Sequence, residues 1–196
     1  MVDFNGRRVS AFTNSGDFLF SFNDVDEGKL RNPVHLVVEG DEVWVTDRRL
    51  RAVYVFDLEG EFLRKFEPTG EEEVKWGPLA LTFSPEGELR LTDVGDTNNH
   101  RLVIFSEDGS VTKRVGSTVH VNAVAESPGG FLFPNGLAVA EDGRIYVSDG
   151  DNRRVQVFTR NGDFLSIIDT SGVPRGIAID SEERLYVVNA IAHTVD

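Results

Sequence analysis

Apolar and polar residues alternate in short runs along the chain, and one five-residue run recurs. Each copy alternates around bulky apolar residues and closes on Asp or Asn, as in residues 43–47, 89–93, 145–149 and 185–189. A truncated copy is present at residues 2–3. Alternation with a period of two, followed by a turn residue, predicts a β-strand that ends in a turn. No segment shows sustained helical periodicity, so we predict an all-β chain.

The residues around each copy predict a unit of four short antiparallel strands. In the third full copy the strands are expected at residues 136–140, 144–148, 153–158 and 163–168. A glycine recurs at the turn between the third and fourth strands, where a positive φ is accessible to glycine at little cost. These glycines are Gly16, Gly60, Gly109 and Gly162.

The spacing of these units predicts a β-propeller within a single domain. The repeated Asp or Asn recurs at steps of 44, 46, 56 and 40 residues. The units are 1–24 (partial), 33–67, 78–115, 134–168 and 174–196 (partial), so about four are present. Four short strands repeated at this period are typical of propeller blades. A β-sandwich is the alternative, but it does not require the same residues at matching offsets in every unit.

The repeat resembles the NHL family. The residues that carry the resemblance are 134–139, 142–149 and 152–158, followed by Asn161 and Gly162. Asn99, His100 and Leu102, with Arg101 intervening, are the closest match to the triplet that names the family. The resemblance implies four-stranded blades that usually close as a six-bladed ring.

Two forms of ring closure remain open. The chain could be part of a six-bladed propeller, which we favour. Alternatively, strands at residues 7–12 and 17–22 could complete the last unit and close a four-unit ring. Unpaired sheet edges would otherwise favour oligomerisation or further blades.

Composition narrows the classes of partner and site. The chain has 20 Lys and Arg against 33 Asp and Glu, a net charge of −13, and no Cys. Disulfides and Cys-ligated metal sites are excluded. RNA binding, which the resemblance implies for some members, is disfavoured because the net charge repels phosphates. No targeting or membrane-spanning segment is predicted in the chain given, so we expect a soluble protein of unknown compartment.

Most candidate ligands for catalysis or metal have a simpler structural interpretation. The repeated Asp is expected to accept hydrogen bonds from the backbone of the following turn. Asp93, Asp96 and Asn98 carry oxygen donors that could bind Ca²⁺, but a solvated turn is the better interpretation. NHL-like lyases with a three-histidine metal site suggest Zn²⁺, yet only His35 matches that pattern here. No cofactor is therefore predicted.

The remaining candidate is a polar loop face. Connections before the first strand and between the second and third strands emerge at one end of a propeller. The binding residues expected there are Arg48, Arg49, Asp96, Asn98, Asn135, Asn152, Arg153 and Arg175. Arg and Asn suit polar recognition of a protein, peptide or glycan. The expected function is a binding module, and the alternative is a lyase or lactone hydrolase with an axial divalent cation.

Overall fold

The described part of the chain is built almost entirely from β-strands. The computed structural model describes residues 1–67, 76–96, 99–116, 127–191 and 193–196, and of residues 96 and 99 it describes the backbone only. The one helical element among them is a 3-10 turn, Gly150–Asn152. Nothing in the described part forms a helix long and apolar enough to cross a bilayer.

The strands form five antiparallel sheets and one hairpin. The two three-stranded sheets are sheet 1, with β1 (Val2–Asp3), β2 (Arg8–Phe12) and β3 (Phe18–Phe22), and sheet 5, with β18 (Pro174–Ile179), β19 (Leu185–Asn189) and β20 (Thr194–Val195). The hairpin pairs β4 (Asp24–Val25) with β5 (Gly28–Lys29).

The three middle sheets have four strands each. They are sheet 2, with β6 (Pro33–Glu39), β7 (Glu42–Asp47), β8 (Ala52–Asp57) and β9 (Phe62–Phe66); sheet 3, with β10 (Pro78–Phe83), β11 (Leu89–Asp96), β12 (Asn99–Phe105) and β13 (Val111–Val115); and sheet 4, with β14 (Pro134–Val139), β15 (Ile145–Asp149), β16 (Arg154–Phe158) and β17 (Phe164–Asp169).

Each sheet packs against the next in chain order, with the first strand of one beside the first strand of its neighbour. This succession runs from β1 to β6, then to β10, β14 and β18. Successive side chains along a strand point to opposite faces of the sheet, so they contact the preceding and the following sheet in alternation. Val43 and Val45 pack in the core between sheets 1 and 2, whereas Trp44 packs in the core between sheets 2 and 3. Burial on both faces explains why the middle strands are apolar throughout.

The structure confirms an all-β propeller arrangement and most of the predicted strands. In the third full copy, all four strands lie within two residues of the expected bounds. The glycines at the turn between the third and fourth strands have positive φ, for example 88° at Gly60 and 76° at Gly162. A residue with a Cβ would be sterically strained at these backbone angles.

One expectation about blades needs correction. Among the described residues three sheets have four strands, and the two units expected to be partial, sheets 1 and 5, have three each. The closed four-unit ring is wrong, because β2 and β3 pair with β1 in a sheet of their own and not with β18 and β19. The described residues form five sheets, so a six-bladed ring is not confirmed.

Candidate functional site

The connections of the propeller emerge at two ends, and the candidate site lies at one of them. In an antiparallel unit, the turn after the second strand and the segment before the first strand lie at the same end. We call this end the loop face. It carries the repeated Asp or Asn, which closes the second strand of each sheet.

Asp47 shows how the repeated carboxylate organises the loop face. Its side chain is fully buried at the end of β7. Oδ2 accepts hydrogen bonds from the backbone N–H groups of Arg31 (2.6 Å) and Asn32 (2.9 Å). Oδ1 accepts from those of Arg49 (3.0 Å) and Leu50 (2.9 Å). One carboxylate thus fixes the segment before the first strand against the turn after the second.

The same role recurs in the next two sheets. Asp93 accepts from the backbone N–H groups of Gly77 (2.6 Å) and Gly95 (2.8 Å). Asp149 accepts from that of Leu132 (2.7 Å). The structural interpretation of the repeated Asp is confirmed. Each carboxylate also accepts a hydrogen bond from the segment before the first strand. A local turn motif does not predict that second contact.

Sheet 2 differs from its neighbours in how this carboxylate is neutralised. In three sheets the carboxylate forms an ion pair with an arginine of the adjacent strand: Asp3 with Arg8 (3.1 Å), Asp93 with Arg101 (2.8 Å) and Asp149 with Arg154 (2.8 Å). In sheet 2 the residue opposite Asp47 in the β7–β8 register is Ala52, which is fully buried. Among the described residues, Asp47 therefore has no ion-pair partner.

A cationic cavity lies beside Asp47, between the loop-face segments of sheets 1 and 2. It has a volume of about 290 Å³ and is lined by Phe4, Asn5, Arg7, Arg31, Asn32 and Arg49. We call it the arginine pocket. None of the lining residues that the structure describes is acidic. Its arginines are exposed, and none of them makes an ion pair with any residue that the structure describes. The pocket therefore offers free guanidinium groups in a chain of net charge −13.

The residues predicted for binding are divided between two places on the loop face. Arg49 lines the arginine pocket, and Arg48 lies in the same turn without lining it. The others that the structure describes lie on sheets 4 and 5, namely Asn135, Asn152, Arg153 and Arg175. The side chain of Asp96, and Asn98 as a whole, fall outside the described residues.

Two of the predicted amides on sheet 4 already have structural partners. Asn135 donates from Nδ2 to the carbonyl oxygen of Phe133 (2.7 Å), and Asn152 donates from Nδ2 to Asp149 (2.8 Å). Arg153 and Arg175 are exposed, and Arg153 has a left-handed φ of 54°. Among the predicted binding residues on sheets 4 and 5, the exposed arginines are therefore better placed to contact a ligand than the amides.

Sequence reasoning missed Arg7 and Arg31, although a signal for Arg7 was present. Arg7 is the fourth residue after Asp3, and Arg51, Arg153 and His193 follow their own repeated residue by the same interval. All four have φ between 54° and 55°, so the position projects outward just before the third strand. Arg31 carries no comparable repeat signal, since it belongs to a variable connection.

The histidines that the structure describes form no metal-binding group with its other described residues. His100 is buried, and its Nδ1 accepts a hydrogen bond from the N–H of Phe133 (3.1 Å). Burial lowers the pKa of His100, so the neutral ring that this contact requires is favoured. His35 lies on β6, where burial lowers its pKa and its Nδ1 has no hydrogen-bond partner in the described part of the chain. His120 lies outside the described residues.

Of the three residues considered for Ca²⁺, the structure describes the side chain of Asp93 alone. Both carboxylate oxygens of Asp93 are engaged, by Gly77 and Gly95 on one oxygen and Arg101 on the other. Among the described residues, no group of three His, Asp or Glu side chains is placed to hold a metal ion.

Comparison with known proteins supports the family that the residues suggested. The family model described as NHL repeat matches residues 131–158. NHL repeat-containing protein 3 from Homo sapiens is 24% identical over 166 residues, which is 79% of this chain and 46% of that protein. These matches support an NHL-repeat β-propeller family for the chain.

Solved structures share the fold of this NHL propeller at low identity. Virginiamycin B lyase from Staphylococcus aureus is 16% identical with a TM-score of 0.68, covering 98% of this chain and 59% of that one. A gluconolactonase from Xanthomonas campestris is 21% identical with a TM-score of 0.68, covering 92% of this chain and 62% of that one. The likeness extends to the fold alone. The chain spans about half or less of the length of the curated relatives it matches.

Proposed function

We propose that this NHL-repeat chain acts as a binding module whose loop face recognises a protein, peptide or glycan. The observation that carries the proposal is the arginine pocket. The repeated carboxylates of the loop face are occupied by backbone and arginine contacts, whereas Arg7, Arg31 and Arg49 are not. Free arginines recognise carboxylates and other polar acceptors through paired hydrogen bonds.

Arginines of sheets 4 and 5 support the same use of the loop face. Arg153 and Arg175 are exposed there, and among the described residues neither makes an ion pair. Polar, arginine-rich surfaces are common in non-obligate protein interfaces. Nucleic acid is a weaker proposal, because a net charge of −13 opposes the approach of a phosphate backbone.

We also propose that another β-structured unit covers the outer face of sheet 5 in the working assembly. Tyr186 and Val188, which point to the same face of β19, are 39% and 46% exposed. Val195, paired with Val188, is 62% exposed. Apolar sheet faces of this kind are normally covered. A sixth blade of the same repeat, or a second copy of the chain, would cover this face in the way that sheet 5 covers sheet 4.

A propeller enzyme is the second candidate, and His35 is the observation that favours it. Its buried Nδ1 has no hydrogen-bond partner among the described residues, and its lowered pKa favours a neutral ring that could accept a proton or bind a metal. The described residues do not supply the other ligands of an axial divalent cation, so they do not fit such a site. Metal analysis of the purified protein tests this candidate, since a stoichiometric cation that is lost in His35→Ala would favour an enzyme.

The binding module is tested by comparing the two ends of the propeller. The loop-face variant combines Arg49→Ala, Arg153→Ala and Arg175→Ala. The control combines Arg144→Ala, Arg160→Ala and Arg184→Ala, which removes the same charge from the opposite end. Both proteins and the wild type are applied to defined peptide and glycan arrays. We expect the loop-face variant alone to lose the ligands that the wild type retains, and equal loss in both variants would contradict the proposal.

A further inference from the structure

We propose that the arginine pocket binds the carboxylates of an acidic peptide segment, an inference that rests on the proposed binding function. It deepens that function by naming the chemistry of the partner.

The charge of the pocket calls for an external anion. Arg7, Arg31 and Arg49 come from separate segments and line one cavity, with no acidic residue among its described lining. Asp47 holds the backbone of Arg31 and Arg49, and each of its oxygens already accepts two backbone N–H groups. Like charges gathered at one site repel, and a bound carboxylate relieves that repulsion while offering two acceptor oxygens to each planar guanidinium.

An unpaired amide oxygen favours a peptide over a simple anion. Oδ1 of Asn32 is buried and has no hydrogen-bond partner among the described residues. A buried acceptor without a donor is costly, and a ligand N–H would satisfy it. A peptide supplies such N–H groups along its backbone, whereas inorganic phosphate or a free dicarboxylate does not. Asn32 lines the pocket, so a rotation of its side chain would present this oxygen to a ligand N–H beside the arginines.

The volume of the pocket limits the ligand to a short segment. At about 30 Å³ for each water in the liquid, a cavity of about 290 Å³ has room for roughly ten water-sized groups. That volume fits one or two acidic side chains with their adjoining backbone. An RNA strand would place many phosphates against a chain of net charge −13, whereas a short acidic peptide brings only the charges that the pocket accepts.

The walls of the pocket are held in place before any ligand arrives. Asp47 fixes the backbone of Arg31, Asn32 and Arg49 through the hydrogen bonds described above. In sheet 1, Asp3 accepts from the N–H of Gly6 (2.7 Å), which fixes the turn that carries Arg7. A pocket with fixed backbone loses less conformational entropy on binding.

The test measures fluorescence anisotropy of labelled octapeptides with the intact protein. The acidic peptide carries Glu at alternate positions, and its matched partner carries Gln at the same positions. We expect the wild type to bind the acidic peptide at least about tenfold more tightly, with an affinity that weakens as ionic strength rises. Inorganic phosphate and a single-stranded RNA decamer are measured as competitors.

Matched arginine variants locate the binding to the pocket. The double variant Arg31→Gln with Arg49→Gln is expected to lose about tenfold or more of the affinity for the acidic peptide. The control, Arg144→Gln with Arg160→Gln, removes the same charge from the opposite end of the propeller and is expected to bind as the wild type does. Arg7→Gln tests the arginine from sheet 1 separately, and it is also expected to lower the affinity for the acidic peptide. Circular dichroism checks that each variant keeps its β-structure.

The outcomes separate this inference from the proposed function. Equal binding of the Glu and Gln peptides, equal loss in the control variant, or no peptide binding would each overturn the acidic-peptide inference. Tighter binding of the RNA than of the acidic peptide would overturn it in favour of nucleic acid. The array comparison of the two propeller ends is independent of these results, so a loop-face ligand without carboxylates would leave the binding module in place.

Discussion

Asp47 in sheet 2 and Asp149 in sheet 4 occupy the same position of the repeat but have different surroundings. Asp149 lies in a closed network, because Oδ2 accepts from Asn152, Arg154 and Gln156. Asp47 accepts only backbone N–H groups, since Ala52 stands where Arg154 stands in sheet 4. Asp149 is therefore purely structural, whereas Asp47 at the same position of the repeat borders a pocket with free arginines.

The closed network at Asp149 also immobilises the segment that precedes sheet 4. Arg154 donates from its second terminal nitrogen to the carbonyl oxygens of Ser127 (3.1 Å) and Gly130 (2.9 Å). Gln156 donates to the carbonyl oxygen of Gly130 (2.7 Å) and accepts from the N–H of Gly129 (2.9 Å). Because Arg154 makes these hydrogen bonds within the protein, it is not available to a ligand.

The largest expected effect breaks the closed network. Asp149→Asn leaves the guanidinium of Arg154, whose side chain is 6% exposed, without its carboxylate. An unpaired buried cation costs about 3–5 kcal/mol in the free energy of unfolding. Urea denaturation followed by circular dichroism measures the change. A loss below about 1 kcal/mol would show that the ion pair is not needed for stability.

A smaller loss is expected from the matching change in sheet 2. Asp47→Asn leaves no cation unpaired, but its amide can accept hydrogen bonds at only one of the two former oxygens. Two backbone N–H groups then lose their acceptor. Because Arg49 and Leu50 lie in an exposed turn where water can replace the lost oxygen, the total cost is about 1–3 kcal/mol. The same urea experiment compares both variants, and a greater loss here than in Asp149→Asn would invert the comparison. Affinity for the acidic peptide should also fall, because Arg31 and Arg49 lose their fixed backbone.

The smallest effect is a pH dependence at His100, which borders sheet 4. Burial holds the pKa of His100 below its ordinary value of 6.5. A base with a lowered folded-state pKa contributes stability that is complete above about pH 6.5 and is lost as the pH falls toward the folded-state pKa. His100→Gln keeps an acceptor for the N–H of Phe133 and removes the titration. Unfolding free energies measured between about pH 7 and pH 5 should therefore fall less in this variant than in the wild type.

Exposed His193 supplies the control for that measurement. His193→Gln makes the same substitution at an exposed position, and its profile is compared with that of the wild type. If His100→Gln and the wild type lose stability in parallel, the titration of this buried histidine is not part of the pH response.

The repeat could be predicted because its signals are local. The alternating residues of β15 and the glycine at the following turn each reflect steric rules that act within a few positions. The backbone contacts of Asp47 to Arg49 and Leu50 belong to the same class. Ring closure could not be predicted in this way, because it depends on which strands from distant parts of the chain come together. In the structure β2 and β3 pair with β1.

The candidate site could be predicted only in part. Arg49 was expected on the loop face because it follows a repeated strand, and the structure places it at the arginine pocket. Arg31 was not expected there, since it lies in a connection whose length varies between units. Asn152 was expected to be available for binding, but its amide donates to Asp149.

Residue order alone dictates the alternating strands, the turn glycines and the carboxylate that closes each second strand, because these depend on sterics and hydrogen bonds between near neighbours. Packing of sheet 1 against sheet 2 decides which arginines share a cavity and which are neutralised. Arg7 and Arg49 are far apart in the chain, and the electrostatic field between them depends on three-dimensional distance. The folded arrangement therefore determines the chemistry of the pocket.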